Sequence, residues 1–370
     1  MFFSKKAVNL PRKAAKILAS YLSLDVVDTQ PWCKEIQDDD DSQLIVTLPF
    51  VANSQLSAIK AHLVNEFSGV ISEKQLTVRT SIGSHSPNAS EVAPVTNIKN
   101  IIAVASGKGG VGKSTTSINL AFALQQEGAK VGILDADIYG PSIPIMLGNE
   151  GAHPTSSDNK HMQPLQAHGM VANSIGYLVP QEDAAVWRGP IASRALKQLL
   201  DETLWPVLDY LIVDMPPGTG DIQLTMAQQV PLTAAVVVTT PQDLALADAQ
   251  KGISMFEKVN VPVLGLVENM SYYQCRVCGT KDYVFSKDGG EALAERHGLP
   301  LLGQLPLDIN IREHADAGSP LLVSEPQSPL ADSYRDAARA LSMQLALTVP
   351  LRSDGAKHIK GEPIGIVGKA

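Results

Sequence analysis

The chain is 370 residues long, with 44% hydrophobic and 18% charged residues, which describes an ordinary globular protein with room for two cores. Three cysteines are too few for a disulfide framework, and a formal net charge of −8 gives no general attraction for nucleic acid or an anionic membrane, so neither is expected as a partner. Met1-Phe2-Phe3-Ser4-Lys5-Lys6 lacks the apolar core of a signal peptide, and no run of about 18 apolar residues occurs, so a cytoplasmic protein is expected.

Apolar periodicity predicts a helix from Pro11 to Leu22, a strand at Leu44 to Leu48, a helix at Leu56 to Phe67 and a strand at Leu76 to Thr80, making a small α+β domain over 1–82. Asp38-Asp39-Asp40-Asp41 reads as a solvated loop, and Cys33 as a plain structural thiol. From Gly83 to Asn97 the composition turns to Ser, His, Pro, Asn and Ala, an interdomain linker over 83–97. A larger domain is expected over 98–350, followed by a flexible tail over 351–370.

The larger domain opens on the apolar run Ile101 to Ala105, followed by Ser106-Gly107-Lys108-Gly109-Gly110-Val111-Gly112-Lys113-Ser114-Thr115. Gly107, Gly112, Lys113 and Ser114 fill the template G-x-x-x-x-G-K-[ST], in which glycines let successive N–H groups converge on phosphate oxygens at a helix N-terminus. Lys113 is expected at the β/γ-phosphates and the Ser114 hydroxyl on Mg²⁺. A turn serving only strand–helix packing would have no use for Lys108, a second lysine among glycines. An apolar helix from Ser114 to Gln126, ended by Gly128, and the run Val131 to Leu134 complete a βαβ unit. Apolar runs at 211–213, 234–238, 263–267 and 301–302 alternate with helical stretches, which predicts an α/β fold with a doubly wound, mostly parallel sheet and ligands at the strand C-termini.

Polar residues follow those runs. A carboxylate in Asp135-Ala136-Asp137-Ile138-Tyr139-Gly140-Pro141-Ser142, at a strand end, is placed to orient an attacking water or to hold Mg²⁺ through water, with an aspartate that merely caps a turn as the alternative. Asp214 ends an apolar strand, the arrangement that holds Mg²⁺ through water, and the glycine-punctuated segment Met215 to Asp221 reads as a switch. Asn269 ends another strand, and an amide there matches the donor and acceptor of adenine. His153, His161 and His168 match no metal template, and Trp187-Arg188-Gly189-Pro190, ahead of a helix near Ser193 to Glu202, has no chemistry that specifies a role. Cys275-Arg276-Val277-Cys278 has three readings: half a metal site, a redox disulfide, or a turn with incidental thiols. Zinc or an iron–sulfur cluster needs four ligands, no second C-x-x-C exists, and two copies of the chain would supply four, which points to a homodimer.

The loop with Lys108 resembles the deviant Walker A pattern of the MinD/ParA class of P-loop NTPases, and that resemblance implies that Lys108 reaches the partner's nucleotide and that the whole run Gly107 to Thr115 binds ATP. It also implies base contacts from Asn269, Pro306 and Asp308. Together with 135–142, 214–221, Glu268-Asn269-Met270-Ser271 and Cys275-x-x-Cys278-Gly279, the sequence resembles the Mrp/ApbC group of iron–sulfur carrier ATPases over about Asn97 to Leu347. The resemblance implies a homodimer that holds a labile [4Fe-4S] cluster through both Cys275/Cys278 pairs. It further implies transfer to apo iron–sulfur proteins, traffic with cluster-assembly scaffold proteins, and slow ATP hydrolysis using Lys108, Lys113, Asp137 and Asp214. The N-terminal domain resembles a diverged MIP18-type domain, without a cysteine at its strand–helix junction, Pro49 to Ser54. Zinc remains the alternative metal, and a zinc-stabilised dimeric regulatory or positioning ATPase of the MinD/ParA type is the rival. A membrane-positioning version would need an amphipathic C-terminal helix, which Gly-, Lys- and Pro-punctuated 351–370 does not offer.

Overall fold

Local signals set the first helix, α1 (Leu10–Leu22): the Asn9 side chain accepts from the Arg12 N–H at 3.0 Å, and Pro11 sits in the first turn, where its missing N–H costs nothing. The computed structural model describes residues 9–38, 41–87, 92–178 and 189–352. After α2 (Val26–Thr29), strands β1 (Cys33–Asp38) and β2 (Asp41–Leu48) form an antiparallel hairpin, with Asp38 opposite Asp41. Asp38 and Asp41 therefore stand at a hairpin end, while Asp39 and Asp40 lie outside the described residues. Periodicity missed β1 because Lys34, Glu35 and Ile36 are all exposed while Cys33 enters the core. Helix α3 (Leu56–Phe67) and β3 (Leu76–Thr80), parallel to β2, complete a three-stranded sheet over a separate core that includes Leu18, Leu44, Leu63 and Phe67.

The second sheet has eight strands. In chain order its elements are β4 (Ile98–Ala105), α4 (Lys113–Gln126), β5 (Val131–Asp135), α5 (Ile143–Met146), β6 (Leu165–Ala167), β7 (Met170–Ser174), α6 (Gly189–Asp201), β8 (Leu208–Asp214), α7 (Asp221–Gln229), β9 (Ala234–Thr239), α8 (Asp243–Lys258) and β10 (Val263–Glu268). A small hairpin of β11 (Tyr273–Gln274) and β12 (Lys281–Asp282) follows, then α9 (Gly289–His297), β13 (Leu301–Gln304), α10 (Ile309–Asp316), α11 (Leu321–Ser324) and α12 (Pro329–Thr348). The order is β13-β10-β9-β4-β8-β5-β7-β6, parallel throughout except for β6. Alternation along β4 sorts the core: Ile102 and Val104 face α4 and α12, while Ile101, Ala103 and Ala105 face α6 to α9. Strands β6 and β7 were not foreseen, because buried Asn173 and Ser174 break the apolar run while bonding Thr203 and Asp135. Trp187 and Arg188 lie outside the described residues, as does 353–370.

Two buried polar side chains, Glu127 and Ser342, fasten the N-terminal unit to the large domain. Glu127, fully buried just past α4, accepts from the Ser54 N–H at 3.0 Å, the Ser54 hydroxyl at 2.6 Å and Arg339 of α12 at 2.5 Å. Ser342 accepts from the Val51 N–H at 3.0 Å and pairs with the Tyr210 hydroxyl at 2.8 Å. The strand–helix junction 49–54 is thus turned onto the C-terminal end of α4. The stretch read as a linker begins as a strap, with His85 buried, its Nδ1 2.7 Å from the Val349 carbonyl and its backbone bridged to Leu351.

Candidate functional site

Five loops converge at the C-terminal edge of the large sheet, where β4 stands between β9 and β8. The loop 106–112 turns from β4 into α4 with Gly110 and Gly112 at φ +81° and +79°, values that glycine adopts without strain. A Cβ on Gly107 would lie 2.2 Å from the backbone of Asp248, so the turn is also packed tightly against α8. Gly109 and Gly110 face open space. Among the described residues, no acceptor takes the N–H groups from Gly112 to Thr115, which leaves a set of donors at the start of a fourteen-residue helix. That set suits a phosphate.

Lys113, 6% exposed, places Nζ 2.8 Å from Asp214 Oδ1 and 3.1 Å from the Ser114 hydroxyl. The fully buried Asp214 carboxylate also accepts from Ser114 at 2.6 Å and from Ser117 at 2.5 Å. A hydroxyl beside a carboxylate is the hard-oxygen donor set that Mg²⁺ takes. Ser117, one turn after Lys113, is a site residue that the motif does not reveal.

Asp135 ends β5 and is fully buried; its carboxylate accepts from the N–H groups of Asp137, Ser142 and Ile143 at 3.0–3.1 Å and from the Ser174 hydroxyl at 3.1 Å. Burial and the Asp214 charge push this group up to about 7, against the pull of Lys113 and the Ile143 N–H. Asp135 thereby shapes the loop that presents Asp137, whose own pKa is raised by burial against the Lys113 charge. In the segment after β8, the Gly218 N–H donates to the Ser106 carbonyl at 2.9 Å, and buried Gln223 donates to the Pro217 carbonyl.

Asn269 reaches the same loop: its Nδ2 donates to the Val111 carbonyl at 2.9 Å, and a Cβ on Gly112 would meet that nitrogen at 2.2 Å. Preceding it, buried Glu268 accepts from the Ser271 hydroxyl and the Gly290 N–H, each at 2.6 Å. Pro306 is buried beside this strand end, and Asp308 caps α10, taking the Asn310 N–H at 2.8 Å. Lys108 is half-buried, and among the described residues its ammonium has no carboxylate partner; only its carbonyl is engaged, by the Ser106 hydroxyl at 2.9 Å.

The cysteines stand apart from that cluster, at the tip between β11 and β12. The turn is closed by Cys275 N–H to the Thr280 carbonyl at 2.9 Å and Gly279 N–H to the Cys275 carbonyl at 2.8 Å. Cys278 is exposed, and the Thr280 hydroxyl, 3.3 Å from its sulfur, heads the groups that push its thiol down to about 7, ahead of the Thr280 backbone and Cys275. Val277 between them is 96% exposed, with Tyr273, Val284 and Phe285 also at the surface nearby. Among the described residues no group of three or more His, Cys, Asp or Glu side chains converges as a metal site. His153, His161 and His168 each pair separately, with Tyr177, Asp158 and Gly318. No helix of the described residues is long and apolar enough to cross a membrane.

Residues 97–342 match the family of NUBPL iron-transfer P-loop NTPases. An iron–sulfur cluster carrier protein of Salmonella typhimurium is 54% identical over 308 residues, which are 83% of this chain and 84% of the relative. Among solved structures, an Archaeoglobus fulgidus nucleotide-binding protein in complex with ADP superposes with a TM-score of 0.56 at 37% identity, over 63% of this chain and 91% of that one. The cell division ATPase MinD of Pyrococcus furiosus superposes at 0.51 with 25% identity, over 65% and 98%.

Proposed function

The chain belongs to the NUBPL iron-transfer P-loop NTPases, and from that premise we propose that it is an ATP-dependent iron–sulfur cluster carrier. Its cargo is a [4Fe-4S] cluster held between two copies of the chain by both Cys275/Cys278 pairs, received from cluster-assembly scaffold proteins and passed to apo-proteins in the cytoplasm. The observation that carries this reading is the cysteine hairpin: a half-buried and an exposed thiol, two ligands short of a closed site, on a chain whose relative is named a cluster carrier. The organisation follows: a unit over 1–82 with its own core, a connection over 83–97, an ATPase domain over 98–350 and a tail.

In the proposed cycle the N–H groups at the start of α4 and Lys113 bind the triphosphate, Asn269 with the 306–308 segment reads the base, and Lys108 of each copy completes the partner's site. Ser114 and Asp214 hold Mg²⁺, which supplies charge neutralisation at the phosphates when bound. Asp137 holds the attacking water, and Asp135 fixes the loop from which Asp137 acts. Turnover is slow while the site waits for its partner.

Anaerobic reconstitution with iron and sulfide, followed by visible absorption, metal analysis and mass determination in solution, tests the proposal. One cluster per two chains, lost in Cys275→Ala and Cys278→Ala, is expected. A colourless protein with stoichiometric zinc after reconstitution would favour the zinc-stabilised regulatory ATPase instead.

A further inference from the structure

Arg276 lies between the two cysteines but bonds elsewhere. Its Nη2 donates to Asp308 Oδ1 at 2.9 Å and to Asn310 Oδ1 at 3.1 Å, at the N-terminus of α10. The stretch leading to Asp308 is zippered to the stretch leading to the hairpin: Leu305 N–H to Glu268 carbonyl at 2.8 Å, Ser271 N–H to Leu305 carbonyl at 2.9 Å, and Leu307 N–H to Tyr272 carbonyl at 2.7 Å. These two stretches form one hydrogen-bonded unit, and Asn269 ties that unit to the P-loop carbonyl of Val111. On the hairpin side, the Lys281 ammonium sits 3.9 Å from the centre of the Tyr272 ring. A continuous set of contacts therefore runs from the phosphate loop to the thiols, and Arg276–Asp308 is its one ion pair.

We propose that Arg276 is a positioning residue that latches the cysteine hairpin to the 305–308 segment, so that a nucleoside phosphate in the P-loop changes how the two thiols are held. The idea rests on the nucleotide-site half of the proposed function and not on the identity of the metal. With Arg276 55% exposed and Asp308 13% exposed, the pair is weak enough for a ligand's preference between two hairpin positions to open or close it. The switch segment after β8, by contrast, makes its described hydrogen bonds to Val104, Ser106, Gln223, Leu224 and Thr225, none of which belongs to the hairpin or the 305–308 segment. Linkage also requires the reverse effect, in which whatever fixes the thiols shifts nucleotide affinity by the same factor.

The test uses the full chain, metal-free and reduced, with iodoacetamide as the probe and mass spectrometry following Cys275 and Cys278 separately. Cys33, 5% exposed inside its core, serves as the unreactive internal reference. Saturating Mg-ADP is expected to change the wild-type alkylation rate about fivefold, at the lower end of measured site-to-site couplings. In Arg276→Ala the ratio with and without nucleotide falls towards one, and Arg276→Lys restores part of it. Taking the ratio within each variant cancels the effect of the lost charge on the thiols themselves. Asp308→Asn, which keeps a good helix cap, is expected to lower the ratio as well; if it also weakens nucleotide binding, Arg276→Ala alone decides. A wild-type ratio of one, or Arg276→Ala retaining the wild-type ratio at saturation, overturns the proposal. Failure of the cluster-carrier reading shows separately, as a wild-type protein that assembles no cluster yet keeps its nucleotide-dependent ratio.

Discussion

Lys113 and Asp214 form a buried ion pair at 2.8 Å, with the lysine 6% and the carboxylate 0% exposed. The residue proposed for the phosphates and the residue proposed for Mg²⁺ are thus each other's partner, and a nucleotide bound there would compete with this pair. Asp214→Asn frees the lysine while removing the metal's carboxylate. It is expected to lower the Mg²⁺ enhancement of ADP affinity about tenfold, the scale of one charged hydrogen bond, and to leave affinity in EDTA unchanged or tighter. Calorimetric titration in both conditions checks this; an equal loss in each would count against it.

Asp137→Asn keeps the size of the side chain and removes its basicity. Steady-state phosphate release is expected to fall about a hundredfold, as for loss of a general base, with ADP affinity within about threefold of wild type. A variant that hydrolyses ATP at the wild-type rate returns Asp137 to a turn-capping role.

At Gly112, φ of +79° coincides with an Asn269 nitrogen 2.2 Å from where a Cβ would stand. Gly112→Ala is expected to lose about 1–2 kcal/mol from the left-handed backbone alone, and nucleotide binding with it. Adding Asn269→Ala relieves the clash and not the backbone, so the double variant stays below wild type in thermal unfolding.

Asp135 carries a sign that differs from the usual surface carboxylate. Its folded value, about 7, lies above the ordinary 3.8, so the folded chain keeps a proton that the unfolded chain releases. Stability from this group is present below the ordinary value and declines as pH rises through the window from about 4 to 7. Asp135→Asn is expected to flatten that decline in thermal melts of the nucleotide-free protein. A melting profile whose slope across the window is unaltered in the variant would show that Asp135 does not carry the proton.

Glu127→Ala leaves Arg339 without its buried acceptor and Ser54 without two bonds. A cost of about 3 kcal/mol is expected, typical of breaking a buried pair from one side. Limited proteolysis between the N-terminal unit and the large sheet should accelerate in the same variant; unchanged cleavage would mean that apolar contacts alone hold the dock.

What was legible in the sequence is what short-range geometry encodes. The loop 107–115 announces itself because its function needs glycines at fixed spacing, and Asp214 because an apolar strand ends on it. The doubly wound sheet followed from apolar runs alternating with helical stretches. Strand β1 was hidden by its exposed edge, and β7 by Asn173 and Ser174, whose burial depends on partners far away in the chain. Ser117 looks like any helix serine until Asp214 is placed opposite it, 97 residues on. The Glu127–Arg339 and Arg276–Asp308 pairs join positions 212 and 32 residues apart, and no local pattern marks them.

The dock at Glu127 has a geometric corollary. Helix α4 is fourteen residues long, so about 21 Å separates the phosphate loop at its start from the N-terminal unit fastened at its end. The two attachments lie on opposite margins of the sheet, so a fluorophore, an affinity handle or a crosslinker grafted at the 49–54 junction sits a helix length away from the phosphate loop.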